Sequence, residues 1–271
     1  MSNLPFAATT PISVARVGLK ARNAAALADF YSAVVGLEQL SRDGETITLG
    51  SKDRPLLVIE SDPAAKPDDP RSAGLFHTAF LLPGRADLGR WLNHAIARKI
   101  PVDGASDHIV SEAAYLTDPE GNGIEIYADR PHESWTWNGG QVAMATDRMD
   151  IPGVIGSVPA GDPGWQGAPE NTVVGHVHLR VGDPWQAEDW WHRQFGFDTV
   201  ARYGSQAVFL SSGGYHHHIA GNTWQSPGAG RRDPQRSGLS WVELRSTDAK
   251  SPETCEDPWG TAIRLVPGKP A

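Results

Sequence analysis

Short stretches of alternating polar and apolar residues recur along the chain, and several of them are followed by an amphipathic helical segment. Arg16-Val17-Gly18-Leu19-Lys20-Ala21 has the period of a half-buried strand, and a helix is predicted behind it from about Ala24 to Val35, with a stop at Gly36-Leu37. His176-Val177-His178-Leu179-Arg180-Val181 repeats that design. There Asp183-Pro184 supplies an N-cap and a first helical residue, and Gly196 closes a helix that runs to about Phe195. A third copy starts at His77-Thr78-Ala79-Phe80-Leu81-Leu82 and passes through Pro83-Gly84 into a helix from Ala86 to about Arg98. Its apolar stripe is Leu88, Trp91, Leu92 and Ala95. A fourth copy begins at Trp241-Val242-Glu243-Leu244-Arg245 and leaves little room for a helix before Asp257.

The copies recur every roughly fifty to seventy residues, and each is expected to end in strands, which makes the unit βαβββ. Asp118-Pro119-Glu120-Gly121 and Asp257-Pro258-Trp259-Gly260 are matching turns into the last strands of modules two and four. The fold class is α+β, with four tandem modules. The division expected along the chain is residues 1–130 for an N-terminal pair of modules, 131–170 for a connector, and 171–271 for a C-terminal pair. The connector is rich in Gly, Pro and polar residues. At about forty residues it is too long for an ordinary loop, so it is expected to pack on the surface or line a site entrance.

Composition narrows the function classes. With 39% hydrophobic residues the chain can build real cores, and a net charge of −8 offers no basic field for nucleic acid. No stretch approaches the ~20 apolar residues of a membrane span, and residues 1–17 lack the pattern of a secretory signal. The expectation is a soluble, cytoplasmic protein with no membrane partner. The single cysteine, Cys255, has no partner for a disulfide or a metal knuckle and reads as a bystander.

Histidines carry the candidate chemistry. His176, His178 and Arg180 share one face of their strand, opposite the apolar face of Val177, Leu179 and Val181. Glu125, set between Ile124 and Ile126, is costly on an inward face unless it is paired or bound to a metal. In Tyr215-His216-His217-His218-Ile219, strand alternation admits either His217 or the pair His216 and His218 to one face. Trp135, Trp137, Trp191 and Trp224 are assigned to no site.

These modules resemble the vicinal oxygen chelate superfamily, which includes glyoxalase I, bleomycin-resistance proteins and type I extradiol dioxygenases, from about Val14 to Val266. The resemblance implies two open β-cups, with a metal held between two modules by residues of their first and last strands. Asp107 to Glu125 is similar to the extradiol signature of a His, a Tyr, a Pro-x-Gly turn and a terminal Glu, with departures at Ser106 and Ala114. Gly104 to His108 and His216 to His218 are also similar to strings in bacterial catechol-2,3-dioxygenase-like proteins. Taken module by module, the first-strand slots hold Arg16, His77, His176 and Trp241, and the last-strand slots Val58, Glu125, His217 and Arg264.

The ligand set implied is therefore His77, His176 and Glu125, with modules one and four as scaffolding. The resemblance selects His217 as the acid/base residue, and His108 and Tyr115 as contacts to the substrate oxygens. It implies an extradiol ring-cleaving dioxygenase that takes a small aromatic diol and O2, with Fe(II) as the expected metal and Mn(II) as the alternative. Homo-oligomer formation is compatible with modules of this kind. Two other readings are a glyoxalase-type isomerase or lyase, and a metal-free binding protein of the antibiotic-sequestering type. The first is disfavoured because His217 stands where a second carboxylate is needed. The second is disfavoured by the retained His77, His176 and Glu125.

Overall fold

The computed structural model of the protein describes residues 4–268. Module one comprises β1 (Ile12–Ala21), α1 (Ala24–Val34), β2 (Glu38–Asp43), β3 (Thr46–Ser51) and β4 (Arg54–Ser61). Module two comprises β5 (Gly74–Leu82), α2 (Arg85–Arg98), β6 (Gly104–Asp107), β7 (Ser111–Thr117) and β8 (Gly123–Asp129). A connector follows, with the short strands β9 (Trp137–Asn138), β10 (Gln141–Val142) and β11 (Asp147–Arg148) and the one-turn-and-a-half helix α3 (Ile151–Gly156). Module three is β12 (Val173–Arg180), α4 (Pro184–Phe195), β13 (Asp198–Tyr203), β14 (Ala207–Ser211) and β15 (Ile219–Asn222). Module four keeps only strands, β16 (Gly238–Ser246), β17 (Glu253–Glu256) and β18 (Ala262–Pro267), and a loop replaces the helix.

Local chemistry sets the helix ends. Asn23 caps α1 by accepting the amide of Ala26 at 3.1 Å, and Asp183 caps α4 by accepting that of Trp185 at 2.8 Å. Gly196 ends α4 in the left-handed conformation. The predicted stripe of α2, Leu88, Trp91, Leu92 and Ala95, is wholly buried. The two Asp-Pro turns are built alike. Asp118 Oδ1 accepts the amides of Glu120 and Asn122, and Asp257 Oδ1 accepts those of Trp259 and Thr261, at 2.7 to 2.9 Å.

In every module the first and last strands lie side by side and parallel, as β1/β4, β5/β8, β12/β15 and β16/β18. Modules then join in pairs through antiparallel seams. β1 meets β16 in a seven-stranded sheet, β17-β18-β16-β1-β4-β3-β2, while β5 meets β12 in a nine-stranded sheet, β11-β6-β7-β8-β5-β12-β15-β14-β13. Each sheet thus takes one module from each half of the chain. Val17 and Leu19 of β1 belong to the same buried cluster as Val177 and Leu179 of β12, so one core serves both sheets. This is the curled α+β architecture of the vicinal oxygen chelate fold. Among the described residues no helix is long and apolar enough to cross a membrane.

Both seams are irregular at matching places. Along β5/β12 the register shifts between Val174 and His176 and again between His178 and Leu179, which leaves Gly175 and Phe76 out of the ladder. Such bulges re-aim neighbouring side chains, and here they flank the three histidines of the seam, His77, His176 and His178. Gly175 also permits a close approach: a Cβ there would lie 1.8 Å from the Tyr127 hydroxyl and 3.1 Å from Leu81 Cβ. Gly175→Ala is therefore expected to destabilise the protein by about 1–3 kcal/mol through overpacking, seen as a lower denaturation midpoint. An unchanged midpoint would show that the bulge is not tightly packed.

Candidate metal centre and active site

The β5/β12 seam brings the chemistry together. His178 lies directly opposite His77, and His176 opposite Ala79; on the parallel side, Ala79 is paired with Glu125 of β8. His77 Nε2 lies 3.0 Å and His176 Nε2 3.2 Å from the same oxygen, Glu125 Oε2, and the two nitrogens are 3.3 Å apart. All three side chains are buried, and their donor atoms fall within 4.8 Å of one another. Burial alone raises the carboxyl of Glu125, but the charges and hydrogen bonds of His176 and His77 outweigh it and hold the group well below its usual range. Burial pushes His176 down to about 4 despite the opposing pull of Glu125. At neutral pH an ionised carboxylate and a neutral imidazole are then both available as ligands.

Three lone-pair donors aimed at one point, two of them nitrogens and one an oxygen, form a set suited to a borderline divalent cation. His176 Nδ1 is held separately by the hydroxyl of Tyr127 at 3.2 Å, so Nε2 is the nitrogen turned toward Glu125 and His77. The residues present fit a metal.

The triad forms the floor of a cavity of about 610 Å3. Polar groups stand on either side of it. His108 Nδ1 sits 2.7 Å from the carbonyl of Ala145 and therefore donates to it, so Nε2 is left to accept the hydroxyl of Tyr115 at 2.5 Å. Tyr115 itself is cross-strand from Glu125, and burial together with that carboxylate raises its phenol well above the ordinary value. On the other side His217 lines the cavity, its ring 4.0 Å from that of His176. Burial and neighbouring imidazoles, His176 first among them, push His217 well below its usual value. Phe76, Phe209, Trp224 and Met144 give the cavity apolar walls, and Val142 and Thr146 of the connector also line it.

Two premises of the sequence argument change here. The string His216 to His218 is not on a strand, because Gly213 and Gly214, both at positive φ, break the chain after β14 and β15 begins only at Ile219. Alternation therefore does not govern these residues, and all three imidazoles are buried. His217 faces the cavity, His216 turns to Asp129 at 2.9 Å, and His218 meets Thr10 Oγ1 and the carbonyl of Ala7, each at 3.0 Å. The last-strand position that matches Glu125 is also not His217. Glu125 pairs with Ala79, two residues beyond His77, and the residue paired with His178, two beyond His176, is Ala220.

The corresponding place in modules one and four is filled by ion pairing. Arg16 makes a two-pronged contact with Glu243 at 2.8 and 2.9 Å, Arg264 lies over the Trp241 ring at 4.0 Å, and the indole N–H of Trp241 reaches Glu60 at 2.8 Å.

Sequence reasoning did not assign His178, although its alternation with His176 signalled a shared face. It is buried, lines the cavity, and has no hydrogen-bond partner for Nε2 among the described residues. Trp224 and Phe209, which lie beside it, carried no signal that separates them from core aromatics.

Comparison with known proteins bears on this site. Residues 13–126 match the family described as the Glyoxalase/Bleomycin resistance protein/Dioxygenase superfamily. The chain is 41% identical over 219 residues to the catechol-2,3-dioxygenase of Bacillus subtilis (strain 168), covering 79% of this chain and 76% of that relative. In fold it is similar to a solved structure from Bacillus subtilis subsp. subtilis str. 168, named as a candidate dioxygenase. The TM-score is 0.63 at 13% identity, over 97% of this chain and 87% of the other. It is also similar to glyoxalase I of Zea mays, with a TM-score of 0.55 at 12% identity over 94% and 92% of the two chains.

Glu125→Gln nearly preserves shape and removes the only anionic donor. Divalent-metal affinity, measured by calorimetric titration, is expected to fall at least about a hundredfold, with an unchanged circular dichroism spectrum. Retention of full affinity would exclude Glu125 as a ligand.

Proposed function

Because the chain belongs to the glyoxalase/bleomycin resistance protein/dioxygenase superfamily, we propose that it is an extradiol dioxygenase that opens a catechol-type ring with O2 at a non-haem divalent metal. One observation carries this reading: His77, His176 and Glu125 converge on a single point at the floor of a cavity large enough for an aromatic diol. Two imidazoles and one carboxylate on one face leave positions open for substrate and O2. Fe(II), with Mn(II) as the alternative, would supply chelation of the two diol oxygens and activation of O2 when held by these three residues.

The protein's own groups handle the protons and the orientation. His217 is the general base, taking the proton of a diol hydroxyl on its cavity-facing nitrogen and holding it for return to oxygen later in turnover. Tyr115 and His108 act as a unit. Since the Tyr115 hydroxyl is donated to His108, its oxygen keeps a lone pair for a substrate hydroxyl. Phe76, Phe209 and Trp224 confine a flat ring over the triad and exclude water.

Ala220, in the register position of Glu125, argues against glyoxalase-type chemistry that needs a carboxylate from each module. A metal-free binding protein would keep a buried carboxylate and two imidazoles crowded on one oxygen without use for them.

Anaerobically purified protein loaded with Fe(II) is expected to consume O2 with a catechol and to form yellow ring-opened product. His217→Ala should keep the metal and bind the catechol while kcat falls roughly 10²–10⁴-fold. Absence of O2 uptake across a panel of catechols would refute the reaction class, and full turnover in His217→Ala would refute the base.

A further inference from the structure

Behind the cavity wall lies a buried hydrogen-bond network that the reaction as proposed does not use, and it ends on one carboxylate. His216 Nε2 lies 2.9 Å from Asp129 Oδ1, and His216 Nδ1 lies 2.8 Å from His217 Nδ1. On a second branch His176 Nδ1 is 3.2 Å from the Tyr127 hydroxyl, which is 2.7 Å from the Tyr215 hydroxyl, and Tyr215 donates to the same Asp129 Oδ1 at 3.3 Å. Tyr127, Tyr215 and His216 are fully buried.

A carboxylate only accepts, and for imidazoles carrying one proton that sets the direction of the bonds leading away from Asp129. His216 must donate from Nε2, so its Nδ1 carries a lone pair and accepts Nδ1–H from His217. The second nitrogen of His217, Nε2, then holds a lone pair. Along the other branch Tyr215 donates to Asp129 and Tyr127 to Tyr215, so the Tyr127 oxygen is left to accept Nδ1–H from His176, the tautomer whose Nε2 lone pair a metal would take; without a metal the competing tautomer donates Nε2–H to Glu125 Oε2 at 3.2 Å.

We propose that Asp129 is a positioning residue which, through His216 and through the Tyr215–Tyr127 pair, sets the tautomers of the base His217 and the metal donor His176 together. The proposal rests on the reading of His217 as the base. Packing supports it: the rings of Tyr215 and Trp135 lie 4.1 and 5.2 Å from that of His216, which holds the middle imidazole in one orientation. An amide at position 129 can turn its N–H toward His216 Nε2. That reverses the His216 tautomer, confronts Nδ1–H of His216 with Nδ1 of His217, and leaves His217 with its proton on Nε2, where no base is available.

Asp129→Asn tests this, because it changes the acceptor with almost no change in volume. In full-length metal-free protein carrying 15N-histidine, nitrogen chemical shifts are expected to report His217 protonated at Nδ1, and at Nε2 in Asp129→Asn. In the same variant the affinity for Zn(II), titrated alone, is expected to fall about 10–100-fold. At saturating Fe(II) its kcat should fall on the order of 10²-fold with KM unchanged. Combined with His217→Ala, the Asp129→Asn change should cost nothing further in kcat at saturating Fe(II), since both remove the same base. A purely structural aspartate would instead give additive losses and an unmoved His217 tautomer, and that result would overturn the proposal. If His217→Ala is slow while Asp129→Asn turns over at the unmodified rate, the coupling through Asp129 fails and the base stands. Should His217→Ala itself retain full kcat, the base and the proposal fail together.

Discussion

Everything at the candidate centre depends on the register of one antiparallel seam, β5 against β12. Pairing His77 with His178 and Ala79 with His176 sets the two donor histidines diagonally across the seam, and the parallel neighbour β8 brings Glu125 into line with Ala79. A shift of one residue would turn His176 and His178 into the apolar core and bring Val177 to the cavity, because side chains alternate across a strand. The bulges at Gly175 and Phe76 belong to the same constraint. Gly175 lets the Tyr127 hydroxyl reach the back of His176, and Phe76 joins His77 in lining the cavity.

The same seam is built twice in the molecule and used differently. Between β1 and β16, Arg16 and Glu243 face each other where the other seam pairs His176 with Ala79, and Arg264 covers Trp241. A guanidinium held in two prongs by a carboxylate satisfies its own charge inside the protein. One sheet therefore gathers two imidazoles and a carboxylate, donors suited to a cation, while the other carries its own cations. Since β1 and β12 share a core, the ion-paired sheet packs behind the open one.

Much of this was legible along the chain. The helices followed from caps and stops such as Gly36-Leu37, Asp183-Pro184 and Gly196, and from the stripe Leu88, Trp91, Leu92, Ala95. The matched Asp-Pro turns at Asp118 and Asp257 showed which modules share an ending. Glu125 stood out because an inward carboxylate on a strand needs a partner, and the slots implied by the family resemblance singled out His77 and His176 beside it. Other features depend on tertiary structure and leave no period to read. Gly213-Gly214 takes His216 to His218 out of the strand and voids the alternation argument, and the bulges shift the last-strand register so that Ala220, not His217, matches Glu125. Asp129 gave no local signal, since its partners Tyr215 and His216 lie more than eighty residues away.

The central claim is that a single divalent metal belongs to the β5/β12 seam. Anomalous diffraction from crystals of the protein loaded with Mn(II) or Fe(II) locates the ion without reference to activity. The account predicts one peak per chain, about 2.0–2.2 Å from His77 Nε2, His176 Nε2 and a Glu125 oxygen, with none beside Arg16 and Glu243. A peak at the β1/β16 seam, or one at β5/β12 that leaves Glu125 uncoordinated, would contradict it.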